Sequence, residues 1–159
     1  MIRYLHLLIL LFFVAACAPA PAQTAPEAEK ARATLMEFLT RLHTGDYAEA
    51  IPLYRGDYEA LKVFNPEIEP SDHLALWSWA CDNRLLQCLA VRSATLLHQE
   101  SDTYVFQVEF NNPDGSLFVL GPCCGADETE MPPESQFEFT VTKNAEGNFV
   151  VLNTPPYVP

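Results

Sequence analysis

Apolar positions set the first half of the chain to a helical period. Ala31, Leu35, Phe38, Leu39 and Leu42 fall on one face, and Glu29, Lys30, Glu37 and Arg41 fall off it. Thr24-Ala25-Pro26-Glu27 supplies a start: a hydroxyl cap, proline in the first turn and Glu three residues after Thr. His43-Thr44-Gly45 supplies the stop, glycine suiting the left-handed cap. Asp46 then caps a second helix with Glu49 three residues on and Ala50, Ile51 and Tyr54 facing in; Pro52 keeps it short or kinked. Asp57 starts a brief third helix, Tyr58 to Phe64, which Asn65-Pro66 ends. After the linker 67–70, Ser71 or Asp72 caps a helical stretch from His73 to Ala80. Trp77 and Trp79, two apart, cannot share its inner face, so one enters the core and the other stays at the surface or in a cleft.

Beyond residue 86 the period becomes two. Leu89, Val91, Ser93, Thr95 and Leu97 alternate with Cys88, Ala90, Arg92 and Ala94 in a first strand. Tyr104, Phe106, Val108 and Phe110 make a second strand with an aromatic face. The turn cluster 111–115 returns the chain through Leu117–Leu120 as that strand's partner. Phe137, Phe139 and Val141 mark a further strand, and 144–148 turns into a last one, Phe149 to Leu152; 154–159 is an irregular proline-rich tail. Helices first and antiparallel strands after predict an α+β domain over 25–153: N-terminal helices packed on a curved sheet of four to five strands.

The N-terminus changes the picture from fold to address. Arg3 precedes an apolar run, Leu5–Val14, that is far short of the about 20 residues needed to span a bilayer. A charged start, an apolar core and small residues are the layout of a secretory signal. Val14-Ala15-Ala16-Cys17 resembles the lipobox of bacterial lipoproteins. The resemblance implies cleavage after residue 16, acylation of Cys17, and an extracytoplasmic, membrane-anchored protein. With Ala18 after the cysteine, it also implies the outer membrane in a diderm source. The segment 17–24 cannot bury apolar surface and reads as a tether. A plain signal cleaved at Ala16 or Ala18 is the rival.

Charge and cysteines narrow the chemistry. The formal net charge is −12. That excludes nucleic-acid binding through phosphates and argues against docking on anionic headgroups, which leaves a lipid to hold the chain at the membrane. Apart from Cys17 there are Cys81, Cys88, Cys123 and Cys124. Adjacent Cα atoms sit only about 3.8 Å apart, below the usual disulfide range, so crossed pairing is expected: Cys81 and Cys88 each to one of Cys123 and Cys124. A four-thiolate metal site is the alternative, against which stand the spacings, neither of them Cys-x-x-Cys.

Phe38-Leu39-Thr40-Arg41-Leu42-His43-Thr44-Gly45-Asp46-Tyr47-Ala48-Glu49-Ala50 resembles the opening of nuclear transport factor two-like domains, a long helix, a Gly-Asp-Tyr break and a second helix, and the element order follows over 25–153. The resemblance implies a cone-shaped domain whose mouth takes a ligand, and in the enzymes of that fold an acid or histidine inside the cone. Here Trp77, Trp79, Tyr104, Phe106 and Phe137 are the candidate binding residues, near the loop around Cys123. Asp72-His73 is the one acid–base neighbour pair, though Asp72 is explained as a helix cap. Neither a phosphate-cradling glycine loop nor a Gly-x-Ser-x-Gly elbow is present. Asp127-Glu128-Thr129-Glu130 lacks the spacing of a calcium loop. No cofactor or metal is expected. The expected function is a lipid-anchored, non-enzymatic binding or interaction module for a small apolar ligand or an envelope protein. The alternatives are an isomerase- or hydrolase-like enzyme using Asp72 and His73, and a structural accessory without a ligand.

Overall fold

The structure is a computed structural model that describes residues 26–158. The signal segment 1–16, the acylation site Cys17, the tether 17–24 and the Thr24 cap lie outside the described residues. The fold is α+β. Helix α1 (Pro26–Thr44), α2 (Tyr47–Ala50), a 3-10 turn (Ile51–Leu53), α3 (Glu59–Phe64) and α4 (His73–Asp82) precede β1 (Ala90–Glu100), β2 (Thr103–Asn111), β3 (Phe137–Lys143) and β4 (Phe149–Val151). The strands form one antiparallel sheet in chain order. Two register shifts, at Val91/Ser93 and Leu96/His98, interrupt the β1–β2 ladder, the kind of bulge that bends a strand.

The core follows from the two periods. Ala31, Leu35, Phe38, Leu39 and Leu42 of α1 are buried, and α1 packs against all four strands. Opposite them lie Tyr104, Phe106, Val108 and Phe110 of β2 and Phe137, Phe139 and Val141 of β3. Burying each such side chain stabilises the fold by about 1.5–3 kcal/mol. Trp77 is the core tryptophan, while Trp79 is 37% exposed. Phe38 stacks on Tyr54, and Trp77 meets both edge-on at 5.7 and 5.1 Å between centroids.

The Gly-Asp-Tyr break works residue by residue. Gly45, at φ +79°, lets its N–H donate to Leu42 O and that of Asp46 donate to Arg41 O, so two carbonyls left over at the end of α1 are satisfied. Asp46 does not cap α2 with its side chain, as its carboxylate instead accepts from Thr44 Oγ1 at 3.0 Å and faces Arg41. Tyr47 Oη donates to Asp82 Oδ1 at 2.6 Å, and Ser78 Oγ donates to Asp82 Oδ2, which joins α2 to the end of α4. Burial, with the Asp82 carboxylate beside it, pushes the Tyr47 hydroxyl up to about 12.

Two further expectations are corrected. The crossed disulfides do not form: Cys81 is bonded to Cys88, while Cys123 and Cys124 are free thiols. Arg84, at φ +57°, turns the chain after α4, and Leu86 N donates back to Ala80 O, which returns residue 88 to a Cα distance of 5.5 Å from residue 81. Leu117–Leu120 is not a strand beside β2. It makes only single bridges, Asn111 with Leu117 and Leu120 with Glu134, and β3 takes the place beside β2. The tail over 154–158 forms no helix or strand and is held to the domain by its main chain. Gln87 N donates to Pro156 O, Val158 N donates to Leu85 O, and Tyr157 stacks on Phe64 at 5.0 Å.

Candidate functional site

β4 spans three residues and β3 seven, and this mismatch builds the site. β4 pairs only with Val141, Thr142 and Lys143. Thr140 still finds partners on that side: its carbonyl accepts from Leu152 N, and its N–H donates to Asn153 Oδ1 at 2.6 Å. Main-chain groups alternate sides along an antiparallel strand, so those of Glu138 point the same way as those of Thr140, past the end of β4. There the chain leaves the sheet through Asn153, Thr154 and two buried prolines, Pro155 and Pro156. The space left is a cleft of about 400 Å³.

Its floor is apolar and its rim acidic. Tyr54, Phe137, Phe139 and Leu152 form the apolar part, and Asp57, Glu134 and Glu138 supply carboxylates. Among the described residues no lysine or arginine lines it. The Glu134 and Glu138 side chains have no hydrogen-bond or ion-pair partner among the described residues, so both charges are free to meet a ligand. Asp57 is partly occupied, its Oδ1 accepting from Glu59 N at the start of α3. Tyr54 Oη donates to Asp57 O at 2.8 Å, and burial raises its hydroxyl above the ordinary tyrosine range. The ring of Tyr54 is therefore a fixed wall. Gly56 fits between that ring and Leu152 O, where a Cβ would collide with both.

The sequence-derived candidates fall elsewhere, with one exception. Phe137 lines the cleft. Trp77 and Tyr104 are enclosed in the core. Phe106 is equally buried and shows only at the floor of a shallow groove between α1 and β1. Trp79 stands on the outer side of α4. Asp72 caps α4, its Oδ1 accepting from Ala75 N at 3.0 Å. The half-buried ring of His73 stacks on Tyr58 with centroids 3.8 Å apart, and Tyr58 Oη accepts from Trp77 Nε1. Among the described residues no carboxylate hydrogen-bonds the His73 ring, so the sequence-adjacent pair is not joined in space. His43 fastens the end of α1: its Nδ1 donates to Cys88 O at 3.1 Å. Asp127 accepts from the N–H groups of Thr129 and Glu130, which holds its carboxyl below the usual range and explains the acidic loop without an ion.

The cleft residues Tyr54, Asp57, Glu134 and Glu138 were not singled out by sequence patterning. The available signal was strand length: the turn 144–148 fixes the register, and Pro155 stops the last strand before it can cover the start of β3. No family model matches the chain, and no curated protein matches it.

Proposed function

We propose that this chain is a lipid-anchored envelope lipoprotein whose α+β domain, of the nuclear transport factor two-like kind, is a non-enzymatic binding module. The observation that carries the binding role is the cleft at the open end of β3. An aromatic floor, two unpaired carboxylates and outward-facing main-chain groups at Glu138 suit a cationic, partly apolar partner. An extended basic segment fits best, because it can hydrogen-bond the free edge and set lysine or arginine against Glu134 and Glu138. The lipobox-like Val14-Ala15-Ala16-Cys17 supports the anchor, and the helix-first, meander-last order supports the family.

The enzyme alternative rests on Asp72 and His73. Their separate engagements, one as a helix cap and one stacked on Tyr58, favour the binding role over it. Two experiments test the proposal. Cells fed a tagged fatty acid should label the chain and leave Cys17→Ser unlabelled, and an unlabelled parent would defeat the anchor. Titrating the soluble domain with a short extended peptide carrying lysines and one phenylalanine should shift the amide resonances of 137–140. Glu134→Gln/Glu138→Gln should weaken that binding about tenfold, and added salt should weaken it too. Equal affinity in the double variant would remove the cleft from the account.

A further inference from the structure

The loop Gly121–Pro133 is closed at its base by Leu120 and Glu134, which exchange backbone hydrogen bonds of 2.7 and 2.9 Å. At its start the chain turns sharply. Ala126 N donates to Cys123 O at 3.0 Å around Cys124 (φ +60°) and Gly125 (φ +91°). Gly125 adopts a positive φ without penalty, but Cys124 carries a Cβ, and left-handed backbone is uncommon for such a residue. The consequence is that Cys123 Sγ and Cys124 Sγ lie 2.8 Å apart. Cys124 is exposed and Cys123 half-buried. Cys81 and Cys88, the remaining cysteines of the described residues, are bonded to each other and so unavailable as partners.

We propose that Cys123 and Cys124 are a modification site, a vicinal dithiol that a small-molecule disulfide oxidises to a bridge between the two adjacent residues. This goes beyond the binding role and depends neither on the anchor nor on the cleft. The exposed Cys124, as thiolate, attacks one sulfur of the reagent R–S–S–R. The reagent's S–S bond breaks, R–S⁻ leaves and takes a proton, and a mixed disulfide remains on Cys124. Cys123, as thiolate, then attacks Cys124 Sγ and expels the second R–S⁻. Two thiols have lost two electrons and two protons, and the reagent has become two R–SH. Cys123 is the resolving thiol because it is half-buried, so the exposed Cys124 meets the reagent first.

Ordinary disulfides avoid neighbouring residues because their Cα atoms are too close, and departure from the usual spacing makes a bridge easier to reduce. The bridge at 123–124 is thus the reversible one of the two, since the Cα atoms of Cys81 and Cys88 lie at an ordinary 5.5 Å. Asp127, Glu128 and Glu130 follow directly, so an uncharged disulfide reaches the site more readily than an anionic one.

The test uses the full chain carrying Cys17→Ser, so that no thiol outside the pair is free. It is treated with 2-hydroxyethyl disulfide at mildly alkaline pH, then denatured and alkylated without reductant. The expected result is a peptide holding both cysteines, unalkylated and two hydrogens lighter than its dithiol form. In Cys123→Ser the reagent should remain on Cys124, with a mixed disulfide at least about tenfold longer-lived than in the parent, because no neighbouring thiol expels it. Double alkylation of the parent peptide would overturn the proposal. So would a lasting mixed disulfide in the parent, or a cross-link from this peptide to Cys81 or Cys88.

Discussion

Glu27 shows how one exposed carboxylate can tie distant parts of the chain together. Its Oε2 receives Lys143 Nζ at 2.7 Å and its Oε1 receives Lys30 Nζ at 2.8 Å, joining the first turn of α1 to the end of β3. Hydrogen bonds from Lys143 and then Lys30 hold its carboxyl down to about 2. An unfolded glutamate titrates near pH 4.3, so the folded state binds its proton less readily than the unfolded state. The Glu27 contribution is therefore complete above about pH 5 and is lost as pH falls through the range from about 4.3 to 2. Urea midpoints measured across that range should fall less steeply in Glu27→Gln than in the parent. Parallel curves would show that Glu27 is not responsible. Gly56 carries a steric prediction at the same scale. A methyl there meets Tyr54 and Leu152 O, so Gly56→Ala should cost about 1–3 kcal/mol in chemical denaturation and shift the resonances of the cleft wall.

At the scale of elements, the sequence disclosed periodic structure and concealed pairings. Helix α1 and strand β2 were legible because their apolar spacing outweighs every local competitor, and Asp72 was legible as the cap of α4 because that bond is local. Asp46 was not, since Thr44 and Arg41 compete for its carboxylate. The disulfide pairing failed for a related reason: Cys81 to Cys88 depends on the positive-φ turn at Arg84, which neither an arginine nor the seven-residue separation signals. Loop closure over so short a segment is worth about 2–3 kcal/mol. Cys81→Ala/Cys88→Ala should lose that much in urea unfolding and also loosen the tail, because Gln87 and Leu85 hold residues 156 and 158. Unchanged stability would mean that the hydrogen bonds at Leu86 and Gln87 suffice alone.

For the molecule as a whole, the helices and sheet enclose an aromatic core, and the cleft proposed for binding falls at a sheet edge. A cone-shaped domain would line its mouth with inward aromatics, but here Trp77, Tyr104 and Phe106 close the interior. The cleft proposed for recognition arises from a mismatch between two neighbouring strands, a property of pairing that no single stretch carries. Acidity then acquires a local meaning: Glu134 and Glu138, whose side chains have no partner among the described residues, stand beside exposed main chain and an aromatic floor. Binding of a cationic partner in this cleft is the proposal on which the functional reading stands. It is tested most directly by taking the mature domain from a bacterial envelope and comparing its mass under native and denaturing conditions, beside Glu134→Gln/Glu138→Gln. The expected result is a basic adduct on the parent that leaves on denaturation and is absent from the double variant. A bare parent, or an adduct retained equally by the variant, would contradict it.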